Sequence, residues 1–153
     1  PSIKRKHVKK GHSVAKALEE LNKSHNWSWY EEIFDRYKNV LEKEAIFYRG
    51  NSISANQMFA QADILANSFD KIGIKKGEEI LACMSNVPET IYLLLAASKC
   101  GAVINFLGAD FNENYIRQIV SSQKRKVFIG TDDSYSKISK IISGADIEYK
   151  RNL

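Results

Sequence analysis

Proline, cysteine, methionine, tryptophan and histidine are all scarce in this 153-residue chain, and each shortage excludes something. The two cysteines, Cys83 and Cys100, sit in apolar settings. They suit reduced, buried thiols in a cytoplasmic protein and not a disulfide framework. They lie seventeen residues apart with no histidine near them, which makes a poor zinc site. The three histidines, His7, His12 and His25, all precede the predicted sheet, so none is placed to orient a serine or cysteine nucleophile on a strand end. No apolar run reaches the roughly 18 residues that a membrane-spanning helix needs. No apolar signal core follows the basic N-terminus, which argues against secretion. The Asn22-Lys23-Ser24 and Asn26-Trp27-Ser28 sequons therefore carry no weight.

Acidic residues are missing from the first twelve positions, where Lys4, Arg5, Lys6, Lys9 and Lys10 stand. The remaining 18 basic and 18 acidic residues balance, so the net charge of +5 belongs to a tail. Residues 1–12 read as a disordered, solvated basic leader, and residues 13–153 as one domain. Also absent are a G-x-x-x-x-G-K-[ST] phosphate loop, a G-x-G-x-x-G turn and a G-x-S-x-G elbow. The weak S-x-x-K pattern begins at Ser13, Ser68, Ser121 and Ser134, as a chain rich in serine and lysine allows.

What is present is organised around Gly77–Leu107. Ile80–Met84 is a short apolar run bounded by turn residues, as a buried strand is. Pro88 fits a first helical turn, and Glu89 places negative charge at the positive end of the helix dipole. Ile91–Ala97 is apolar throughout. Gly101 suits a left-handed helix terminus, and Val103–Leu107 reads as the next strand. A strand, crossover helix and strand form a right-handed parallel unit. The helix offers water little besides Thr90, Tyr92 and Ser98, so burial on more than one side is expected. Either it is a tightly packed core helix or a further domain covers it.

Around this unit the periodicity predicts helices over 14–22, from Asn26 or Ser28 to about Lys43, 54–71, 112–122 and 134–143. Leu18 and Leu21 share one side of the first. The second carries an apolar stripe from Trp29 to Leu41 that reads as a docking face. A hairpin is expected around Gly50-Asn51, with further strands at Lys126–Ile129 and Ile147–Tyr149. Gly73 and Gly144 close helices. The fold class is α/β: a mostly parallel sheet flanked by helices, preceded by a helical N-terminal segment and a short hairpin.

Asp132-Asp133, after an apolar strand, is the best local candidate for a site. Carboxylates at the carboxyl end of a parallel sheet can hold Mg²⁺ or, through it, a phosphate-bearing ligand. The same residues also serve as plain helix caps. Asp110, in a loop after the preceding strand, has the same two readings. A receiver domain would carry its acidic pair after the first strand, and here the pair comes late.

Between Ile53 and Ile129 the chain resembles the AMP-forming adenylate ligases: acyl-CoA synthetases, luciferases and peptide-synthetase adenylation domains. The resemblance rests on Ser54-Ala-Asn-Gln-Met-Phe59, Ala66-Asn-Ser-Phe69 and Gly73-Ile-Lys-Lys-Gly-Glu78. It continues in Met84-Ser-Asn-Val-Pro-Glu89, Lys99-Cys-Gly-Ala-Val103 and Lys126-Val-Phe-Ile129. Where the family has Pro-Leu-Asn, this chain has Asn105-Phe-Leu-Gly108, which leaves subgroup and substrate open. The resemblance implies an N-terminal subdomain, a fragment of a larger enzyme that uses ATP, Mg²⁺, CoA and a carboxylic acid. Family motifs for the phosphate loop, the adenine and acyl pockets and the mobile C-terminal domain do not occur here. No catalytic, cofactor-binding or metal residue is therefore carried over. The expected partner is the remainder of the parent ligase, and an isolated chain is expected to expose apolar surface. Membrane insertion and nucleic acid are not expected. The alternative is a non-catalytic α/β binding module whose basic tail engages a polyanion. That alternative requires binding that weakens steeply with salt and vanishes when residues 1–12 are deleted, measurable by titrating a polyanion at two ionic strengths.

Overall fold

The computed structural model describes residues 28–108, 112–122, 127–142 and 148–149. The predicted leader, the helix at 14–22, Asp110 and Gly144 lie outside these residues. The described chain runs α1 (Trp29–Tyr37), β1 (Glu44–Tyr48), β2 (Asn51–Ser54), α2 (Ala55–Lys71), β3 (Glu79–Cys83), α3 (Pro88–Cys100), β4 (Val103–Phe106), α4 (Glu113–Ser122), β5 (Val127–Gly130), α5 (Asp132–Ile142) and β6 (Glu148–Tyr149). Strands β1 and β2 form a separate antiparallel hairpin. The main sheet has the order β4-β3-β5-β6, and every pairing in it is parallel.

The layers follow from strand alternation. Ile80, Ala82, Val127 and Ile129 face α2 and α3, where Leu65, Phe69, Leu93 and Ala96 complete one core. Leu81, Cys83 and Phe128 face the other way and pack with Ile116, Val120 and Ile138 of α4 and α5. A third cluster joins Tyr30 of α1, Met58, Phe59 and Ala62 of α2, and Leu95 of α3, with Ile46 and Ile53 of the hairpin against it. Helix α3 therefore feeds two cores at once: Leu93 is 0% and Leu95 2% exposed, on different faces of the helix. Burying each is worth roughly 1.5–3 kcal/mol.

Two helix ends show how local sequence places α2. Ser54 Oγ accepts from the Gln57 N–H at 3.2 Å, and Gln57 Oε1 accepts from the Ser54 N–H at 2.9 Å. This reciprocal box satisfies donors that the helix itself leaves free. The Ala55 and Asn56 N–H groups bond the carbonyls of Lys43 and Leu41. At the other end Gly73 takes φ 74°, and the Ile74 N–H returns to the Phe69 carbonyl at 2.9 Å. Both apolar residues then sit in the same core.

Three predicted boundaries are corrected. Helix α1 ends at Tyr37 and not near Lys43. Beyond it, successive turns bond Val40 to Tyr37 and Lys43 to Val40, which frees the Leu41 and Lys43 carbonyls for the start of α2. The hairpin turn is Arg49-Gly50 and not Gly50-Asn51. Both turn residues have positive φ, 50° and 83°, while Asn51 pairs with Tyr48. That is the paired left-handed conformation of a two-residue hairpin loop. Helix α5 begins at Asp132, two residues earlier than its pattern indicates.

At the amino end of the sheet, two separated turn motifs lock together. The Gly77 N–H donates to the Gly101 carbonyl at 2.8 Å, and the Val103 N–H donates to the Glu78 carbonyl at 2.8 Å. Gly101 has φ 71°, and a Cβ there would come within 2.8 Å of Lys76 Cγ. Gly101→Ala is expected to lower stability by about 1–2 kcal/mol, from left-handed strain plus the clash. Repeating it in a Lys76→Ala background should recover the clash portion only, as read by urea denaturation of the four variants.

Candidate functional site: the crevice at the sheet switch point

In the order β4-β3-β5-β6, the connection from β3 leads outward to β4, and the one from β5 leads outward to β6. Strands β3 and β5 thus flank the topological switch point. In open α/β sheets, ligands bind in the crevice outside the carboxyl ends at this place. Cys83 pairs in register with Gly130 at its floor. One wall is Met84-Ser85-Asn86 and the start of α3. The other is Thr131, Asp132 and the start of α5.

The wall beside α3 is held by the Thr90 hydroxyl, which donates to the Ser85 carbonyl at 2.7 Å. Val87 occupies the N-cap without a side-chain hydrogen bond, and Pro88 fills the first helical position. On the other wall the cap is Thr131. Its Oγ1 accepts from the Ser134 N–H at 3.4 Å, and its carbonyl accepts from the Tyr135 N–H at 2.9 Å. Asp132 is the first helical residue and is exposed. Its carboxylate stands in the first turn, where it favours the helix dipole without capping it. Gly130 is required by the floor: a Cβ there would lie 2.8 Å from Cζ of Phe128, a fully buried ring.

Asp110 lies outside the described residues. Among the described residues no three histidine, cysteine, aspartate or glutamate side chains converge as a metal site. Ser13 lies outside the described residues, and the serine hydroxyls of the other three S-x-x-K matches are engaged with backbone carbonyls. Ser68 donates to Ile64, Ser121 to Arg117, and Ser134 to Thr131. Burial pushes the Cys100 thiol upward, and the Asp70 charge adds to this, which keeps it protonated and poorly nucleophilic. Cys83 is buried. The crevice has the position of a ligand site.

A polar cluster that sequence reasoning missed joins three helices. The Tyr30 hydroxyl donates to Asp63 Oδ1 at 2.5 Å, and Lys99 Nζ donates to the same oxygen at 2.8 Å. Lys99 Nζ also lies 4.4 Å from the centre of the Tyr30 ring. Burial first, and then Asp63, raise the Tyr30 pKa. Burial pulls Lys99 down, but Asp63 and Tyr30 outweigh it and hold the ammonium charged. Both charged side chains are 42% exposed, so the ion pair adds at most about 1 kcal/mol. The cluster is a clamp for α1, and it sits away from the crevice on the outer side of α3. The three partners are 33 to 69 residues apart in sequence, so no local pattern announces them.

A family model described as "AMP-binding enzyme" matches residues 34–150, well over half of the chain. The chain belongs to the AMP-binding enzyme family. Acetyl-coenzyme A synthetase of Cryptosporidium parvum is 34% identical over 96 residues, covering 62% of this chain and 14% of that protein. Acetyl-coenzyme A synthetase of Helicobacter acinonychis is 26% identical over 110 residues, covering 67% and 17%. A benzoate CoA ligase from Burkholderia xenovorans LB400 shares the fold with a TM-score of 0.74 at 14% identity, over 80% of this chain and 25% of that one. The N-terminal subdomain of Klebsiella oxytoca NpsA shares it with a TM-score of 0.63 at 18% identity, over 80% and 34%. The chain thus spans about one-sixth of the length of the curated relatives it matches. The α/β expectation and the adenylate-ligase resemblance both stand. No helix among the described residues is long and apolar enough to cross a membrane.

Thr131→Ala should cost about 1 kcal/mol as a lost cap, and Asp132→Ala about 0.5 kcal/mol as a lost dipole partner. Mg²⁺ should not shift the melting temperature of the wild-type chain. A Mg²⁺-dependent rise that disappears in Asp132→Ala would instead make this carboxylate a metal ligand.

Proposed function

We propose that this chain is the N-terminal structural subdomain of an ATP-dependent, AMP-forming acyl-CoA synthetase-like ligase. The observation that carries this reading is the family match over 34–150. The ligase fold over four-fifths of the chain supports it. The parent enzyme joins a carboxylate oxygen to the α-phosphorus of ATP and releases pyrophosphate. The CoA sulfur then attacks the acyl carbon, AMP leaves, and a thioester forms. Mg²⁺ accompanies ATP. Acetate is the first carboxylate to try, since the curated relatives are named acetyl-coenzyme A synthetases. The setting is the cytoplasm.

In this reading the chain's own contribution is mechanical. The sheet and α3 hold the switch-point crevice open as one wall of a site whose reacting groups come from the remainder of the ligase. The division into a basic leader at 1–12 and one domain at 13–153 is part of the same proposal.

The isolated chain is expected to catalyse no ATP–pyrophosphate exchange with acetate and Mg²⁺. The polypeptide encoded by the same reading frame when continued past Leu153 is expected to catalyse it. Exchange above background by residues 1–153 alone would overturn the scaffold role. A continued polypeptide that exchanges with no carboxylate would overturn the ligase reading.

A further inference from the structure

Among the described residues, strand β4 is an edge of the sheet, and nothing in its sequence blunts it. The Val103 and Leu107 N–H groups turn inward to the Glu78 and Ala82 carbonyls. By the alternation of a parallel ladder, the N–H and C=O groups of Ile104 and Phe106 turn outward. Val103 is 47% and Phe106 42% exposed, on opposite faces of the strand. Proteins protect such edges with charge, proline or a bulge. The β1–β2 hairpin does so, with Glu44, Arg49 and a register shift between Glu44 and Ile46. Val103-Ile-Asn-Phe106 has none of these.

Exposed apolar side chains also stand at the carboxyl end of the sheet. Ile91, in the first turn of α3, is exposed, and so is Tyr115 in the first turn of α4. Both helices start at the carboxyl end of the sheet, where β4 also ends at Phe106. Phe106 pairs with Ala82 and shares its face of the sheet with α3, the helix that carries Ile91. The end of β4 thus carries outward ladder groups that no described strand pairs, and exposed aromatic and branched side chains occupy the same end of the sheet.

We infer that the β4 edge is the seam on which the remainder of the parent ligase docks, by adding a strand to Ile104 and Phe106 and covering Ile91 and Tyr115. This rests on the ligase reading. The occupant follows from the relatives: they are about six times as long as the matched segment, so most of their chain is available to cover this end of the sheet. The partner segment is an extended stretch with apolar side chains on both faces, matching Val103 on one side and Phe106 on the other.

The test is amide hydrogen exchange on residues 1–153 and on the polypeptide continued past Leu153. In the short chain at low concentration, the Ile104 and Phe106 amides should exchange rapidly while Asn105 is protected. In the continued polypeptide both should slow by at least about tenfold. Phe106→Pro removes an outward N–H and the ring of the proposed seam, takes no hydrogen bond from the ladder to β3, and should leave that ladder intact in the short chain. It should lower the melting temperature of the continued polypeptide selectively. Equal exchange at Ile104 and Phe106 in both forms overturns the seam while leaving the ligase reading untouched. Protection that appears in the short chain as its concentration rises, and is absent from the continued polypeptide, makes the occupant a second copy and also overturns it. A stop codon directly after Leu153 removes the ligase reading and this occupant together.

Discussion

Helix α3 is the constraint on which the other elements depend. It contributes Leu93, Ala96 and Ala97 to the core over the sheet and Leu95 to the core under α1 and the hairpin. A helix that serves two cores cannot rotate: turning it to improve one contact exposes the residues of the other. Its ends are held as well, by Pro88 at the first position and Gly101 in the left-handed conformation at the last. The sheet order then follows, since α3 fixes β4 beside β3 and sends the next crossover to the opposite face. Against two buried leucines at roughly 1.5–3 kcal/mol each, the exposed Lys99–Asp63 pair is minor. The Tyr30 clamp therefore selects where α1 sits, and apolar contact supplies most of the attachment.

This arrangement gives a physical meaning to the motifs behind the resemblance. Lys75-Lys-Gly-Glu78 and Lys99-x-Gly-Ala-Val103 are about 24 residues apart, yet they form one joint. Gly77 donates to Gly101, Glu78 accepts from Val103, and the Lys76 stem lies over Gly101. Asn86-x-Pro-Glu89 starts α3 at the other end of the sheet. All three motifs position one helix. A sequence signal for a ligase family can thus be a signal for its scaffold. The substrate stays hidden in such a chain for the same reason.

The legible parts were those with a local cause. Helix α2 was readable because Ser54 and Gln57 form a box within four residues. Strands β3 and β5 were readable as continuous apolar runs, since both faces are covered. The parts that were not legible depend on distant partners. The end of α1 is set by the demand of Ala55 and Asn56 for the Lys43 and Leu41 carbonyls, which no helical periodicity encodes. The turn at Arg49-Gly50 needed a non-glycine residue at positive φ, where Gly50-Asn51 had the more favourable composition. At the crevice, the aspartates have the composition of a metal site, while Thr131 does the capping.

The crevice and the β4 edge are consequences of one topology. Sending α3 to one face and α4 to the other opens the switch point between β3 and β5. The same step leaves β4 outermost among the described strands, with its outward amides turned away from β3. The crevice and the Phe106 end of that edge lie at the carboxyl end of the sheet, next to the first turns of α3, α4 and α5. A segment that covers the edge therefore arrives beside the crevice, and one docking event both protects the ladder and closes the wall. In the proposed ligase the subdomain serves as a scaffold beside that segment. Its task is to present a rigid floor, built from the buried Cys83–Gly130 register, and a sticky margin beside it. Ile91, Phe106 and Tyr115 stand exposed at this end, while the described remainder of α4 presents a largely polar surface around its buried Ile116 and Val120.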